Sequence, residues 1–312
     1  MNDKKTSVYA GLDIAKASLE LHLLGQSYDR PNTPAGHVQL LKRLAAVPGA
    51  HLICEATGGY ERAVVAARHA APVLVSVINP ARVRQFARAA GQLAKTDPIA
   101  AAVLTVFGMA FAPRVTAART AVEIHLAALT TRRAQLLSLR IAEEQRAETG
   151  TEPALCKRFT GWLVQIHQQL AKVEALTEKL LAEQTRLAAQ VQRLDDLMGV
   201  GRLTAVTVLA TLPELGTLNR GQAAALAGLA PDNRDSGTGT GQRHSSGGRA
   251  DVRRARYMAA WSASRSNKIL KPFYDRLIAA GKPAQVALTA VRRKLIVLMN
   301  HLLKNPGFTL AK

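Results

Sequence analysis

Apolar positions in the first third of the chain switch between the two-residue period of strands and the three-to-four-residue period of helices. SVYAGLDI predicts a strand, and SLELHLLG alternates as its hairpin partner. HVQLLKRLAA predicts a helix, HLICEA a short buried strand, and YERAVVAARHAA a second helix. VLVSVIN is β-branched and continuous, as for a buried strand, and Pro80 ends it. ARVRQFARAAG predicts a helix closed by Gly91, and a further helix begins near Thr96 or Asp97 with Pro98 in its first turn. This ββ…αβαβα order predicts an α/β domain with a mixed sheet over residues 1–112.

From about residue 115 to 198 the pattern becomes that of long helices. Ile166, Leu170, Val173, Thr177, Leu180, Gln184, Leu187, Val191 and Leu194 are spaced alternately by four and three residues. That heptad predicts a coiled-coil linker over 113–198. The alternative is an antiparallel hairpin within one chain, with the helix around Val122 to Arg146 as partner and GTEP at 150–153 as the bend. Residues 199–312 predict a mostly α-helical C-terminal domain. It opens on LMGVGRLTAVTVLATL, a turn resembling a helix-hairpin-helix, whose backbone N–H groups at Gly199 to Arg202 suit a phosphate. A Ser/Gly/Arg loop, DNRDSGTGTGQRHSSGGRADVRRARYM, follows and feeds basic helices.

Composition narrows the partners more than the fold. Hydrophobic residues make up 48% of the 312 positions, which argues against global disorder, and aromatics only 4%, which favours helices over an all-β fold. No apolar run approaches the roughly 18 residues of a membrane span. The nearest, Val103 to Ala112, is broken by Gly108, and the N-terminus shows no signal-peptide pattern. Cys54 and Cys156 form no CxxC, so neither a disulfide framework nor a zinc ribbon is expected, and a reducing, cytoplasmic setting is. Lys and Arg number 42 against 22 Asp and Glu, a net charge of +20. Such a surface selects a polyanion, nucleic acid before an anionic membrane.

Against that charge, three carboxylates stand at element ends: Asp13 after the first strand, Glu55 after HLIC, and Asp97 at a helix start. In an RNase H-like sheet these positions converge. Carboxylates are the hard oxygen ligands that Mg²⁺ takes, and a pair of ions can activate an attacking oxygen and stabilise a leaving one. Each acid also has an ordinary reading: a solvated strand end, a partner for Arg62, and a first-turn acid. Ser236 lies in RDSGTGTGQRHSSGG, either a flexible loop without chemistry or a nucleophile beside arginines that hold a phosphate. Arg243, Arg249, Arg253 and Arg254 supply that charge, and Asp251 is the one acid between Gln242 and Tyr274. His244 is a candidate acid or base. A second basic stretch, Arg82, Arg84, Arg88 and Lys95, flanks the acids and reads as phosphate positioning or as a solvated helix face.

YAGLDIAK, ICEATGGY, VSVINPARVRQFARA and KTDPIAA occur in order, followed by GVG, ALAGLAP, DSGTGTGQRHSSGG and RRARYMAA. Together they closely resemble the DEDD transposases of insertion sequences, a group that includes the Piv-type DNA invertases. The resemblance implies a RuvC-like N-terminal domain, a coiled-coil linker and a C-terminal transposase domain. It implies Mg²⁺-dependent DNA recombination with a C-terminal serine as covalent nucleophile. It implies a structured guide RNA from the element, pairing with target and donor DNA. It further implies composite active sites shared between protomers of a dimer or tetramer, in a bacterial, nucleoid-associated setting. By motif, Asp13, Glu55 and Asp97 would be the first three acids of a tetrad and Ser236 the nucleophile.

One position departs from the motif. The fourth acid of the family follows the third by three residues, and here that position is Ala100. Three residues is about one helical turn, so the missing acid would have faced the same metal. Weakened metal binding and little or no strand transfer are expected, whether the chain is a catalytically dead variant or a decayed copy. Two other readings compete: an actin-like sugar kinase, on YAGLDIAKAS alone, and a non-catalytic RNA- and DNA-binding protein of the same ancestry.

Overall fold

Alternation in the first strand decides which chemistry meets which face of the sheet. Ala10, Leu12 and Ile14 of β1 (Val8–Ile14) join one buried cluster. Tyr9, Gly11 and Asp13 therefore point to the opposite face. The computed structural model describes residues 8–68, 73–92, 97–229, 231–232, 244–245 and 259–308. They pack as two units, Met1–Ala118 and Arg119–Lys312.

In the first unit β2 (Ser18–Leu23) pairs antiparallel with β1, and β3 (Gln26–Pro31) pairs antiparallel with β2. β4 (Ala50–Glu55) and β5 (Leu74–Ile78) continue the sheet on the other side of β1 in parallel. The order is β3-β2-β1-β4-β5, a mixed sheet. Leu40, Leu41 and Leu44 of α1 (Pro34–Ala45) and Val64 of α2 (Glu61–Ala67) cover one face, packed on Leu12, Leu19, Leu21 and Leu52. Each fully buried leucine is worth about 1.5–3 kcal/mol. Val83 of α3 (Pro80–Ala89) and Leu104 and Phe107 of α4 (Asp97–Phe111) cover the other, packed on Ile53 and Ile78. Asn79 caps α3 by accepting the Ala81 N–H at 2.9 Å, with Pro80 in the first turn.

Two features of this unit differ from expectation. β3 was not foreseen, because QSYDRP is polar and mostly exposed, as an edge strand can be. Beyond α4 the chain also returns to β5. The Thr116 N–H donates to the Val75 carbonyl at 2.9 Å, and Thr116 Oγ1 accepts the Val77 N–H at 2.9 Å.

In the second unit α5 (Ala121–Thr149) and α6 (Pro153–Glu183) are joined by three residues and pack along each other. So short a link makes them antiparallel neighbours, and the Arg133–Glu174 pair (2.8 Å) bridges them. A capping box between Thr120 and Glu123 starts α5. Ile166, Leu170, Val173 and Leu180 do face a core, shared with Leu126, Leu129 and Leu136 of α5. The heptad is not one helix, however. Gln184 leaves helical geometry (φ −122°, ψ 79°), and α7 (Thr185–Asp195) starts anew after it. α8 (Arg202–Thr211), α9 (Arg220–Leu226), α10 (Leu270–Ala279), α11 (Ala284–Lys304) and helical residues 259–266 follow, with a two-stranded pairing of β6 (Pro231–Asp232) and β7 (His244–Ser245). One buried cluster runs from Leu126 through Leu194 and Leu209 to Met299. Among the described residues no helix is long and apolar enough to cross a membrane.

Candidate functional site

A glycine sets the site by letting a helix touch a strand. A Cβ on Gly11 would lie 1.9 Å from the Ala101 carbonyl oxygen and 2.7 Å from the Thr105 nitrogen. Any side chain would push α4 off β1. Gly108 does the same one face-length along, where a Cβ would meet Ile53 and Tyr9 at 2.8 Å. His22 Nδ1 and Thr105 Oγ1, 2.9 Å apart, tie α4 to β2 across the same face. The first turns of α4 therefore lie against the polar end of the sheet.

Asp13 stands there on β1, half-buried, with its Oδ1 accepting the Ile14 N–H at 3.1 Å. Leu12 and Cys54 are register partners in the parallel β1–β4 pair, and both face the opposite cluster. The next residue on each strand is Asp13 and Glu55, so the two acids emerge side by side on the α4 face. Asp97 opens α4 and is exposed. Ala100, half-buried, follows one turn later on the same helix face.

A fourth carboxylate joins them that the sequence did not single out. Glu20 of β2 is the antiparallel register partner of Asp13 and so shares its face. Burial holds the Glu20 carboxyl above its ordinary pKa, and the negative fields of Asp29, Asp97 and Asp13 push the same way against a Ser27 hydrogen bond that lowers it. Asp13 and Asp97 thus act on one neighbour: strand end, adjacent strand and helix start form one acidic corner. The signal was present in the hairpin, since pairing SVYAGLDI with SLELHLLG places Asp13 opposite Glu20.

The donors at this corner are all carboxylate oxygens, the set that suits Mg²⁺ rather than a soft cation. Among the described residues no three such side chains stand close enough to enclose an ion as they are positioned. Carboxylate oxygens fit a hard cation in chemistry, and such a cation would also relieve the repulsion that adds to the burial of Glu20. Cys54, behind Glu55, is no ligand or nucleophile: burial pushes its thiol up to about 12.

The basic residues divide. Arg82, Arg84 and Arg88 are exposed on α3, which is anchored by Val83 and by Phe86 against Phe107 and Phe111, with ring centroids 5.5 and 5.6 Å apart. Ser236, Lys95, Arg243, Arg249, Arg253 and Arg254 lie outside the described residues. The Gly199–Gly201 turn is held from within its own unit. A Cβ on Gly199 (φ +97°) would meet the Ala263 Cα at 2.6 Å, and Asn267 Nδ2 donates to the Met198 carbonyl at 2.9 Å. Arg202 beside it makes a two-point contact with Glu178, at 3.0 and 2.6 Å. That hydrogen bond holds the Glu178 carboxyl below its ordinary range.

The same two regions carry the likeness to known proteins. Residues 10–149 match the DEDD transposase family of the IS110 group, and residues 191–275 match the transposase IS116/IS110/IS902 family. The chain is 25% identical over 312 residues to the pilin gene-inverting proteins of Moraxella lacunata and Moraxella bovis, spanning 94% of this chain and 94% of each relative. It is also 29% identical over 163 residues, 51% of this chain and 39% of the relative, to the insertion element IS110 uncharacterized 43.6 kDa protein of Streptomyces coelicolor. Matched on the sheet that bears the acidic corner and again on the C-terminal helices, the chain belongs to the IS110-type DEDD transposases, a family of DNA transposases and recombinases.

Proposed function

We propose that this chain is a DNA recombinase of an insertion sequence whose chemistry is divided between the acidic corner and Ser236. Asp13, Glu55 and Asp97 would hold Mg²⁺, two ions in an intact site, on a RuvC-like sheet. Bound there, the metal would supply charge stabilisation to the phosphate undergoing substitution. Ser236 Oγ would attack phosphorus, forming a protein–DNA phosphodiester as the scissile P–O bond breaks and the departing oxygen takes a proton. Arg243, Arg249, Arg253 and Arg254, with Arg82, Arg84, Arg88 and Lys95, would neutralise and position the phosphates. An RNA from the element would pair with the DNA and carry target choice, in a dimer or tetramer with composite sites, the long α5 and α6 sharing one core with the C-terminal helices rather than forming a free coiled-coil linker, in the nucleoid of a bacterial cytoplasm.

What supports this reading is that Asp13 and Glu55 follow register partners on adjacent parallel strands and that Asp97 opens the helix packed on Gly11. Ala100 leaves that corner one carboxylate short, which lowers activity and favours a second reading, a protein that binds RNA and DNA without cutting. One experiment separates them. The Ala100→Asp variant, given Mg²⁺, co-purified RNA and labelled element-end DNA, should form a covalent protein–DNA adduct that Ser236→Ala abolishes. If Ala100→Asp forms no adduct while binding DNA and RNA as the native chain does, the catalytic assignment is wrong and the binding-only reading stands.

A further inference from the structure

The second unit contains a cavity of about 550 Å³ between the start of α9, the start of α10 and the last turns of α11. Its size falls within the roughly 300–1,000 Å³ of small-ligand sites. Leu218, Leu270 and Leu298 supply an apolar floor with half-exposed Ile269 beside it, and among the described residues every fully charged side chain lining it is a cation: Arg220, Lys294 and Lys304. No acid lines it. Arg220, Lys294 and Lys304 are exposed, so their charge is held at the rim. Lys294 is fixed over the Phe273 ring, with Nζ 4.1 Å from the centroid. The polar group beneath, Asn300, is already satisfied: its Oδ1 accepts the Gly216 N–H and its Nδ2 donates to the Leu218 carbonyl, both at 2.8 Å.

An apolar floor under a cationic rim selects a ligand that is apolar at one end and anionic at the other. We propose that this cavity takes an unpaired nucleotide of a single strand, its base on the aliphatic floor and its flanking phosphates on Arg220, Lys294 and Lys304. A duplex keeps its bases paired and stacked and has none to insert, whereas a single strand presents each base separately. The +20 charge of the chain favours the same occupant over a neutral or cationic one. The inference rests on the reading of this chain as a nucleic-acid enzyme and assigns the strand-holding role to residues other than the acids and Ser236.

The test compares a fluorescent oligodeoxythymidylate with a hairpin duplex of equal phosphate number, using the full chain and anisotropy at physiological ionic strength. The triple variant Arg220→Gln/Lys294→Gln/Lys304→Gln should bind the single strand roughly tenfold more weakly and show a salt slope shallower by about 2, with duplex binding changed less than threefold. The control Lys172→Gln/Lys179→Gln/Arg186→Gln removes equal charge from exposed positions on α6 and α7 and should not discriminate between the two. Ile269→Glu, at a half-exposed position on the cavity, should act as the first triple does without removing a cation. The proposal is overturned if the two triple variants lose equally on both ligands, or if Ile269→Glu binds the single strand as the native chain does. Binding of neither ligand by the native chain would instead overturn the nucleic-acid reading itself, and this site with it.

Discussion

The two units use the same device for opposite ends. In the first, Gly11 lets α4 rest on β1, and the contact brings carboxylates together at a strand end. In the second, Gly199 lets the α7–α8 turn rest on the helical residues 259–266, and the nearby charges are paired, as in Arg202 with Glu178. A close backbone approach is structural in both cases. Only in the first does it gather like charges that repel, and proteins keep such an arrangement where it serves chemistry. The lesson is that the second unit spends its charge on its surface, whereas the first concentrates a minority of acids at one corner of a basic chain.

The largest effects should come from the two glycines. Gly11→Ala drives a Cβ into the Ala101 carbonyl, and Gly199→Ala combines overlap with Ala263 and a positive φ; each should cost about 3 kcal/mol or more in urea unfolding of the full chain. Gly161, within α6 with open space around its Cα, is the reference. Gly161→Ala should stabilise by about 0.5–1 kcal/mol. If Gly11→Ala is as harmless as Gly161→Ala, α4 does not sit on β1 as described and the acidic corner dissolves with it.

A smaller effect comes from Glu20, whose carboxyl is raised first by burial and then by its acidic neighbours. The folded pKa of Glu20 is raised, so folding favours its protonated form. Its ionisation subtracts stability: the penalty is absent below the unfolded pKa and grows as pH rises through the folded one. Glu20→Gln should therefore raise the melting temperature at neutral pH, and the gain should vanish as the solution is acidified past the carboxylate range. A gain that is the same at every pH would mean that the folded Glu20 carboxyl is not raised at all.

Much of this was legible from periodicity. Strands β1, β2, β4 and β5 and the helices between them follow from apolar patterning, because each buries a face. β3 did not, since QSYDRP buries little and takes its identity from hydrogen bonds to β2. The heptad over 166–194 identified the buried positions but not the break at Gln184, because residue spacing records which face is apolar and not whether the backbone stays helical. Asp13, Glu55 and Asp97 were readable as element ends. Glu20 stands out only once the hairpin register is drawn, because its place beside Asp13 is a property of two strands together.

The proposal most worth testing is that the corner at Asp13 is a divalent-metal site lacking one ligand at Ala100. Titration with Mn²⁺, followed by water-proton relaxation on the full chain, tests it without requiring activity. Ala100→Asp should tighten binding roughly tenfold or more, since carboxylate number sets affinity in oxygen-ligand sites, and adding Asp13→Asn should reverse the gain. Equal Mn²⁺ affinity in the native chain and in Ala100→Asp would contradict the account.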